Sequence, residues 1–399
     1  MSKSALAIDG GTPVRDSYLV FGRPDIREEE IEEVVATLRS GWLGTGPRVA
    51  AFEEAFREYV GARYAMALNS CTAGLHLAMI AVGVRAGDEV ITTPMTFAST
   101  ANVITHLGAR PVFVDCERSS LCIDPHAIEA RITERTRAIL PVHFAGRAAN
   151  LSIITPLAHK HGLKIVEDAA HAIETIHHGQ KIGPLSDCTA FSFYVTKNVV
   201  TGEGGMVTTN DAQIADWIKV AGLHGLSRDA WKRYSDEGFR HYEVVFPGFK
   251  YNMMDLQAAL GIRQLERVEA NLVRREQIWQ RYREAFADLP CDVPAEPPAG
   301  DRHARHLFVI LLRLEELRQN RDGVLQALHA EHIGTGVHYR ALHLHPYYRE
   351  TYGYEEGDFP NTEWVGERTL SLPLSSGLSD RDVSDVIEGV RRVLTAYRK

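Results

Sequence analysis

The sequence has few of the features that mark secreted, membrane-bound or nucleic-acid-binding proteins. Its five cysteines are an odd number and include no Cys-X-X-Cys pair, so we expect reduced thiols rather than a disulfide framework. The N-terminus lacks the apolar core of a signal peptide, and the longest apolar stretch, residues 65–84, is too interrupted by polar residues to cross a bilayer. The net charge is −8 without a basic stripe, which argues against nucleic-acid binding. We therefore expect a cytoplasmic protein that contacts neither membrane nor nucleic acid.

Metal-ligand patterns are also scarce, although the chain has 18 histidines. No His-Glu-X-X-His motif occurs. The nearest pattern is His343-Leu344-His345, whose two imidazoles would share one face of an extended segment. A pair of this kind is more often structural than metal-binding, so we predict no metal site.

Between residues 64 and 209, short apolar runs alternate with helical patterns. Apolar runs without alternation are typical of strands that are covered on both faces. We predict strands at 64–68, 89–93, 111–115, 136–142, 163–168, 188–193 and 205–209, and helices at 26–39, 48–60, 70–82, 98–107, 125–132 and 151–161. This order predicts an α/β fold with a mostly parallel central sheet between layers of helices.

The pattern changes after about residue 250. One long helix is predicted over 254–287, followed by a strand at 307–314 and a helix at 321–331. A loop-rich stretch and a final helix at 380–397 complete the chain. We therefore predict two domains: 1–250, with an N-terminal segment and the large α/β sheet, and 251–399, a smaller α+β domain.

Two charged residues lie just after predicted strands. Asp168 ends the strand at 163–168, and Lys197 follows the strand at 188–193. In open α/β sheets, ligands bind beyond the carboxyl ends of the strands. A lysine amine can form a Schiff base with an aldehyde, and a carboxylate can keep a pyridine nitrogen protonated, which is how proteins use pyridoxal 5′-phosphate (PLP). Singly, Lys197 could be a surface lysine and Asp168 a helix cap; their joint occurrence favours the cofactor.

Two more segments fit the same ligand. Residues 70–74 begin a helix after a strand, and a helix N-terminus binds phosphate through its free N–H groups. Thr72 adds a hydroxyl donor there, while Ala73 lets the backbone approach closely. Phe97 follows another strand and can stack on a flat ring, although a single phenylalanine is more often a core residue.

Three motifs carry a resemblance to a known family. They are Glu167-Asp168-Ala169-Ala170-His171-Ala172, Thr196-Lys197-Asn198 followed by Gly202-Glu203-Gly204-Gly205, and the segment 250–259. The chain resembles the DegT/DnrJ-type sugar aminotransferases, a branch of the fold-type I PLP enzymes, from Gly41 to Leu374. Within that family it is most similar to the UDP-4-amino-4-deoxy-L-arabinose aminotransferases. The resemblance implies an aspartate aminotransferase-like PLP transferase fold.

The resemblance assigns a role to each matched residue. Lys197 would bind PLP as the internal aldimine and then move a proton between Cα and the C4′ carbon. Asp168 would pair with the pyridinium nitrogen. Further cofactor contacts would come from His171 and Phe97 at the ring, from Ser70, Thr72, Ala73 and Ser192 at the phosphate, and from Asn252 reaching the neighbouring subunit's site.

The implied reaction is transamination in a homodimer with shared active sites. L-glutamate would convert PLP to its pyridoxamine form, which would aminate a keto group, at C4, of a nucleotide-linked sugar. The sugar nucleotide would contact Trp42, Thr45, Lys250, His338, Tyr339 and Arg340, with His224, His343 and Tyr347 as further candidates. The pathway stays open between lipopolysaccharide modification, another surface glycan and a secondary metabolite.

Three alternatives remain. A PLP-dependent sugar dehydratase of this family would carry histidine in place of Lys197. A regulatory protein on the same fold would have lost Asp168, Lys197 or the phosphate segment, and the sequence keeps all of them. Both alternatives are disfavoured, whereas amination at C3 rather than C4 stays open.

Overall fold

The structure, a computed structural model, describes residues 5–227 and 243–399. Its helices are α1 (Glu28–Ser40), α2 (Pro47–Val60), α3 (Cys71–Ala81), α4 (Ala98–His106), α5 (Leu151–Lys160), α6 (Ala212–Ala221), α7 (Asp255–Glu266), α8 (Val268–Phe286), α9 (Arg321–Ala330), α10 (Pro346–Tyr352), α11 (Pro360–Arg368) and α12 (Asp380–Tyr397). Its strands are β1 (Tyr64–Leu68), β2 (Glu89–Thr92), β3 (Arg110–Phe113), β4 (Thr136–Ile139), β5 (Lys164–Asp168), β6 (Ile176–His177), β7 (Gln180–Lys181), β8 (Cys188–Ser192), β9 (Gly205–Thr209), β10 (Cys291–Asp292), β11 (Phe308–Leu312) and β12 (Thr369–Leu372).

The central sheet contains the seven strands that the sequence predicts. Their spatial order is β1-β9-β8-β5-β4-β2-β3. Strand β9 runs antiparallel to both of its neighbours, and the pairs from β8 to β3 are parallel. The strands β2 and β9 are buried along their whole length, as expected for a sheet with helices on both faces. The mostly parallel α/β architecture is thus confirmed.

A second, smaller sheet follows in the chain, with the antiparallel order β10-β11-β12. It packs against α8, α9 and α12 around large buried aromatic side chains, among them Trp279, Tyr282 and Phe308. The N-terminal segment also joins this core, because Leu6 is buried in it and the amides of two early residues donate to the Glu331 carboxylate. The division of the chain at residue 250 stays a prediction.

Three local predictions were wrong. The predicted helix 254–287 is two helices, because Arg267 between α7 and α8 leaves helical geometry (φ −113°, ψ 9°) while its guanidinium holds Asp25 and Glu30. The predicted helix 125–132 is two short 3₁₀ turns. The stretch predicted as loop-rich before the last helix contains α10, α11 and β12.

One buried carboxylate joins the start of α2 to the start of α7. Asp255, the first residue of α7, accepts hydrogen bonds from the backbone amides of Gly46 (2.8 Å), Arg48 (3.1 Å) and Val49 (2.9 Å). These are amides that a helix N-terminus leaves without an intrahelical partner. Asp255 therefore fixes the loop that precedes α2. Within residues 5–227 and 243–399, no helix has both the length and the apolar character to span a bilayer.

Candidate active site

A cavity of about 600 Å³ opens at the carboxyl ends of the central strands. Nine of the residues predicted from the sequence line it: Ser70, Thr72, Phe97, Asp168, His171, Ser192, Lys197, His338 and Tyr339. They come from segments that are far apart in the chain but that all follow strands or lie in the loop before α10. The structure therefore brings together, at one place, the residues that the sequence suggested for a single ligand.

Lys197 lies in a tight turn after β8, in which its backbone amide donates to the carbonyl of Tyr194 (2.9 Å). Burial lowers the pKa of the Lys197 amine to about 8, and the neighbouring Cys71 and Asp168 only partly oppose this effect. An amine with this pKa is partly unprotonated near neutral pH, which a nucleophile and proton carrier requires. The surface-lysine alternative is therefore wrong.

Asp168 ends β5 and points its carboxylate into the cavity. Thr100, in α4, donates its hydroxyl to one carboxylate oxygen (2.8 Å), and the Ala170 amide donates to the other (3.1 Å). Burial raises the pKa of Asp168, although both hydrogen bonds and the Lys197 charge oppose the change. A buried carboxylate of this kind is stabilised by a cationic partner, so the site fits a protonated pyridine ring.

The N-terminus of α3 forms another side of the cavity. The hydroxyl of Ser70 accepts a hydrogen bond from the Ala73 amide (3.1 Å) and so caps the helix. Strand β9 approaches this turn so closely that a Cβ on Gly205 would lie 2.4 Å from the carbonyl carbon of Ser70. The helix end, with Thr72 exposed beside it, has the backbone dipole and donors that suit a phosphate.

His171 is a neutral imidazole with a defined tautomer. Its Nδ1 accepts a hydrogen bond from the Ala145 amide (3.1 Å), so its proton is on Nε2, which lies 3.3 Å from the Tyr339 hydroxyl. Burial, followed by the charge of Lys197, holds the pKa of His171 well below its usual range. Burial also lowers the pKa of His338 to about 4. Both imidazoles are therefore uncharged groups at the wall of the cavity.

The rim of the cavity is aromatic. Phe97 is 61% exposed and Tyr194 is 44% exposed, which is unusual for side chains of this size. The core alternative for Phe97 is therefore wrong. The Phe97 ring lies 6.2 Å from that of Tyr339, so flat apolar surface is available at the entrance.

Several predicted residues lie outside this lining, and four of them lie close to one another. Trp42, Thr45 and Asn252 line a second cavity of about 750 Å³ beside β1 and α6. Asn252 donates to the Thr45 hydroxyl (2.6 Å) and accepts from the Lys250 amine (2.5 Å). In a single chain these four residues thus form a group of their own.

The remaining predicted sugar contacts have other positions. Arg340 is exposed and its guanidinium is 3.5 Å from the carbonyl of Leu344. His343 is buried, and its Nε2 lies 2.9 Å from the Glu363 carboxylate. Two further candidates are exposed, and neither lines the Lys197 cavity: His224 and Tyr347.

Several residues that matter at the site were not predicted from the sequence. Thr100 contacts the Asp168 carboxylate and is hydrogen-bonded in turn to Thr96 (2.7 Å), which precedes α4. Away from the cavity, the ligand atoms of His177, His178 and Asp301 lie within 4.8 Å of one another. His177 there is hydrogen-bonded to Asp301 (3.0 Å) and to Ser152 (3.1 Å).

The profile of the DegT/DnrJ/EryC1/StrS aminotransferase family matches residues 24–391. The chain belongs to this family. The spore coat polysaccharide biosynthesis protein SpsC of Bacillus subtilis is 50% identical over 381 residues, which are 95% of this chain and 98% of SpsC. The matching solved structures include the PMP form of Spr1654 of Streptococcus pneumoniae, assigned as a sugar aminotransferase, at 34% identity, with a TM-score of 0.88 over 95% of this chain and 99% of that one.

PseC of Helicobacter pylori, an aminotransferase of pseudoaminic acid biosynthesis, is 28% identical, with a TM-score of 0.89 over 96% of this chain and all of PseC. The protein is therefore a fold-type I, PLP-dependent sugar aminotransferase. The residues of the cavity fit this cofactor, because a buried carboxylate, a lysine of lowered pKa and a helix N-terminus meet there.

Proposed function

We propose that the enzyme takes an amino group from L-glutamate and delivers it to a keto group at C4 of a nucleotide-linked sugar. The observation that carries this proposal is the meeting of Lys197 and Asp168 in one cavity whose rim is aromatic. The choice of L-glutamate and of C4 follows the resemblance to the 4-keto-pentose aminotransferases. SpsC and PseC, which act in polysaccharide and pseudoaminic acid biosynthesis, support a sugar acceptor.

The proposal gives a role to the main residues of the cavity. Lys197 binds the cofactor and carries the proton that the reaction moves. Asp168, oriented by the Thr100 hydroxyl, holds the ring nitrogen in its protonated form. Ser70 and Thr72 hold the phosphate with the first turn of α3, while Phe97 packs on the ring. When bound, PLP supplies an aldehyde for the amine and a ring that withdraws electrons from the substrate carbon.

The enzyme acts as a homodimer in this proposal. Among the described residues that line the cavity, Lys197 is the one lysine or arginine, and the histidines beside it are neutral. A phosphate, two donor carboxylates and a nucleotide diphosphate need more positive charge than this. Lys250 and Asn252, which form a separate group in one chain, would supply it to the partner's cavity.

The first experiment follows the visible spectrum of the PLP-loaded protein. A yellow Schiff-base band should appear in the wild type and fade to the pyridoxamine form when L-glutamate is added. Lys197→Ala should lack the band, whereas Lys181→Ala, a lysine engaged by Glu269 outside the cavity (3.0 Å), should retain it. A band that does not respond to glutamate would overturn the donor assignment, and a band that survives in Lys197→Ala would overturn the lysine assignment.

The second experiment identifies the acceptor. The pyridoxamine form is offered nucleotide-linked 4-keto and 3-keto sugars, and the return of the yellow band is measured for each. Faster return with the 4-keto sugar is expected, and the amine position is then read by NMR of the product. Faster return with the 3-keto sugar would refute the C4 assignment, and no return with either would refute the nucleotide-sugar acceptor.

The third experiment tests the shared site. Lys197→Ala and Asn252→Ala are each expected to be inactive as homodimers, because one lacks the amine and the other lacks the contact to the partner's cofactor. When the two variants are mixed and allowed to exchange subunits, mixed dimers hold one intact site, so about a quarter of wild-type activity should return. A mixture that stays inactive although mass spectrometry shows mixed dimers would overturn the shared-site proposal.

A further inference from the structure

Asn198 directly follows Lys197, and both polar atoms of its side chain are hydrogen-bonded. Its Nδ2 donates to the Glu174 carboxylate (2.8 Å) and to the Ala304 carbonyl (3.0 Å), while its Oδ1 lies 3.0 Å from Nδ1 of His306. An asparagine supplies two donors and an acceptor from one planar group. Serine cannot make this set of contacts, and aspartate would put a carboxylate against two acceptors.

Behind Asn198 lies a fully buried ion pair. Glu174 and Arg275 have exposed side-chain fractions of 0% and 3% and are in direct contact. Arg275 belongs to α8, whereas Glu174 belongs to the segment after β5. The pair therefore joins the second half of the chain to the strand that carries Asp168. Burial raises the pKa of Glu174, and the Arg275 charge is the main opposing effect.

On its other side, Asn198 is connected to the histidines of the cavity. Nδ1 of His306 must donate, because the amide oxygen of Asn198 can only accept. The His306 ring lies 4.5 Å from that of His171, at an angle of 32°. Asn198 is thus connected to α8 through Glu174, and to the cofactor cavity through His306, which lies against His171.

We propose that Asn198 is a positioning residue, which with Glu174 and Arg275 fixes the turn that carries Lys197 and keeps its amine inside the cofactor cavity. This inference rests on the assignment of Lys197 as the cofactor-binding lysine. Its consequence is that the placement of α8 determines how deeply the amine is buried. None of Asn198, Glu174 and Arg275 lines the cofactor cavity, so the network acts through Lys197.

The pKa of the Lys197 amine reports its burial directly. The ionisable groups that face the amine are Cys71, Asp168, His171, His306 and His338. The carboxyl of Glu174 is not one of them. A change at Asn198 therefore alters the pKa of Lys197 by moving the amine, and greater exposure moves that pKa up from about 8 towards 10.5.

The test compares Asn198→Ser with a matched control, Asn361→Ser. Asn361 is also half-buried, donates its Nδ2 to a backbone carbonyl (Cys116, 3.0 Å) and accepts on Oδ1 (Arg118, 2.9 Å), but it lies on α11 away from Lys197. The protein is freed of cofactor, and Lys197 is labelled with acetic anhydride at a series of pH values. Mass spectrometry of the Lys197 peptide gives the pH midpoint of labelling, and the pH midpoint of the visible band is recorded for the PLP-loaded protein.

Asn198→Ser should raise the labelling midpoint by about one pH unit and displace the midpoint of the visible band, while Asn361→Ser should change neither. An unchanged midpoint in folded Asn198→Ser, or an equal change in the control, would overturn the proposal. If Asn198→Ser does not fold, Arg275→Lys, which keeps the buried cation, is measured in its place with the same criteria. If Lys197 is not the cofactor-binding lysine, borohydride will fix PLP to a different lysine. This outcome can be told apart from a failure of the positioning role of Asn198.

Discussion

Replacing Lys197 by methionine should make the cofactor-free protein more stable, although the change removes its central catalytic group. The amine has a pKa of about 8 in the folded chain, compared with 10.5 when it is exposed, because it is buried. At neutral pH the Lys197 amine is protonated in both states. Its charge is fully solvated in the unfolded chain but poorly solvated in the folded chain. Each pH unit of pKa difference is about 1.36 kcal/mol, so the amine destabilises the fold by about 3 kcal/mol at pH 7.

The sign of the pH dependence follows from the same values. Below pH 8 both states bind the proton and the full destabilisation is present. Between pH 8 and 10.5 the unfolded state binds more protons than the folded one, so wild-type stability rises with pH. The advantage of Lys197→Met should accordingly shrink from about 3 kcal/mol at pH 7 to about 2 kcal/mol at pH 9.

The assay is urea unfolding of the cofactor-free wild type and variant at both pH values. Lys160→Met is the control, because Lys160 is 65% exposed and pairs with Glu129 at the surface; it should change stability by less than about 1 kcal/mol at either pH. A Lys197→Met protein no more stable than the wild type at pH 7, or one whose advantage does not depend on pH, would refute the reasoning.

Three further substitutions test how the site is supported. Thr100→Val removes the hydroxyl that donates to Asp168, so the pKa of that carboxyl should rise further and PLP affinity, measured by absorbance titration, should fall by about tenfold. Asp255→Asn replaces an oxygen that accepts backbone amides by a donor and should cost about 2–4 kcal/mol of unfolding free energy, measured with urea. Gly205→Ala places a Cβ 2.4 Å from the Ser70 backbone; it should cost about 1–3 kcal/mol and weaken PLP binding.

Each of these changes has a counterpart elsewhere in the chain. Thr105→Val lies on the same helix, α4, but Thr105 does not reach Asp168. Asp288→Asn affects a carboxylate that is mostly exposed (65%). Gly44→Ala adds a methyl that, among the described residues beyond its chain neighbours, has no atom within 4 Å. PLP affinity that falls equally in both threonine variants, or stability that falls equally in either of the other two pairs, would contradict the assigned contacts.

The central sheet was predictable because its strands are short, apolar and buried on both faces, so composition alone marks them. Periodicity could not reveal the break between α7 and α8, because the apolar spacing continues through Arg267. What bends the chain there is the contact of its guanidinium with Asp25 and Glu30, more than 200 residues earlier. The short elements α10, α11 and β12 were missed because four to nine residues hold too few periods to count.

At the site, the reacting groups could be predicted from the sequence, whereas the residues that hold them could not. Lys197 and Asp168 could be recognised from sequence because the chemistry fixes the residue type and the fold fixes its place after a strand. Their supports act through contacts over long separations: Thr100 lies 68 residues from Asp168, Arg275 lies 101 from Glu174, and His306 lies 108 from Asn198. No local pattern relates such partners, and each belongs to an ordinary helix or loop. The reactivity of the lysine therefore depends on its neighbours in space, because burial in the folded chain is what lowers its pKa.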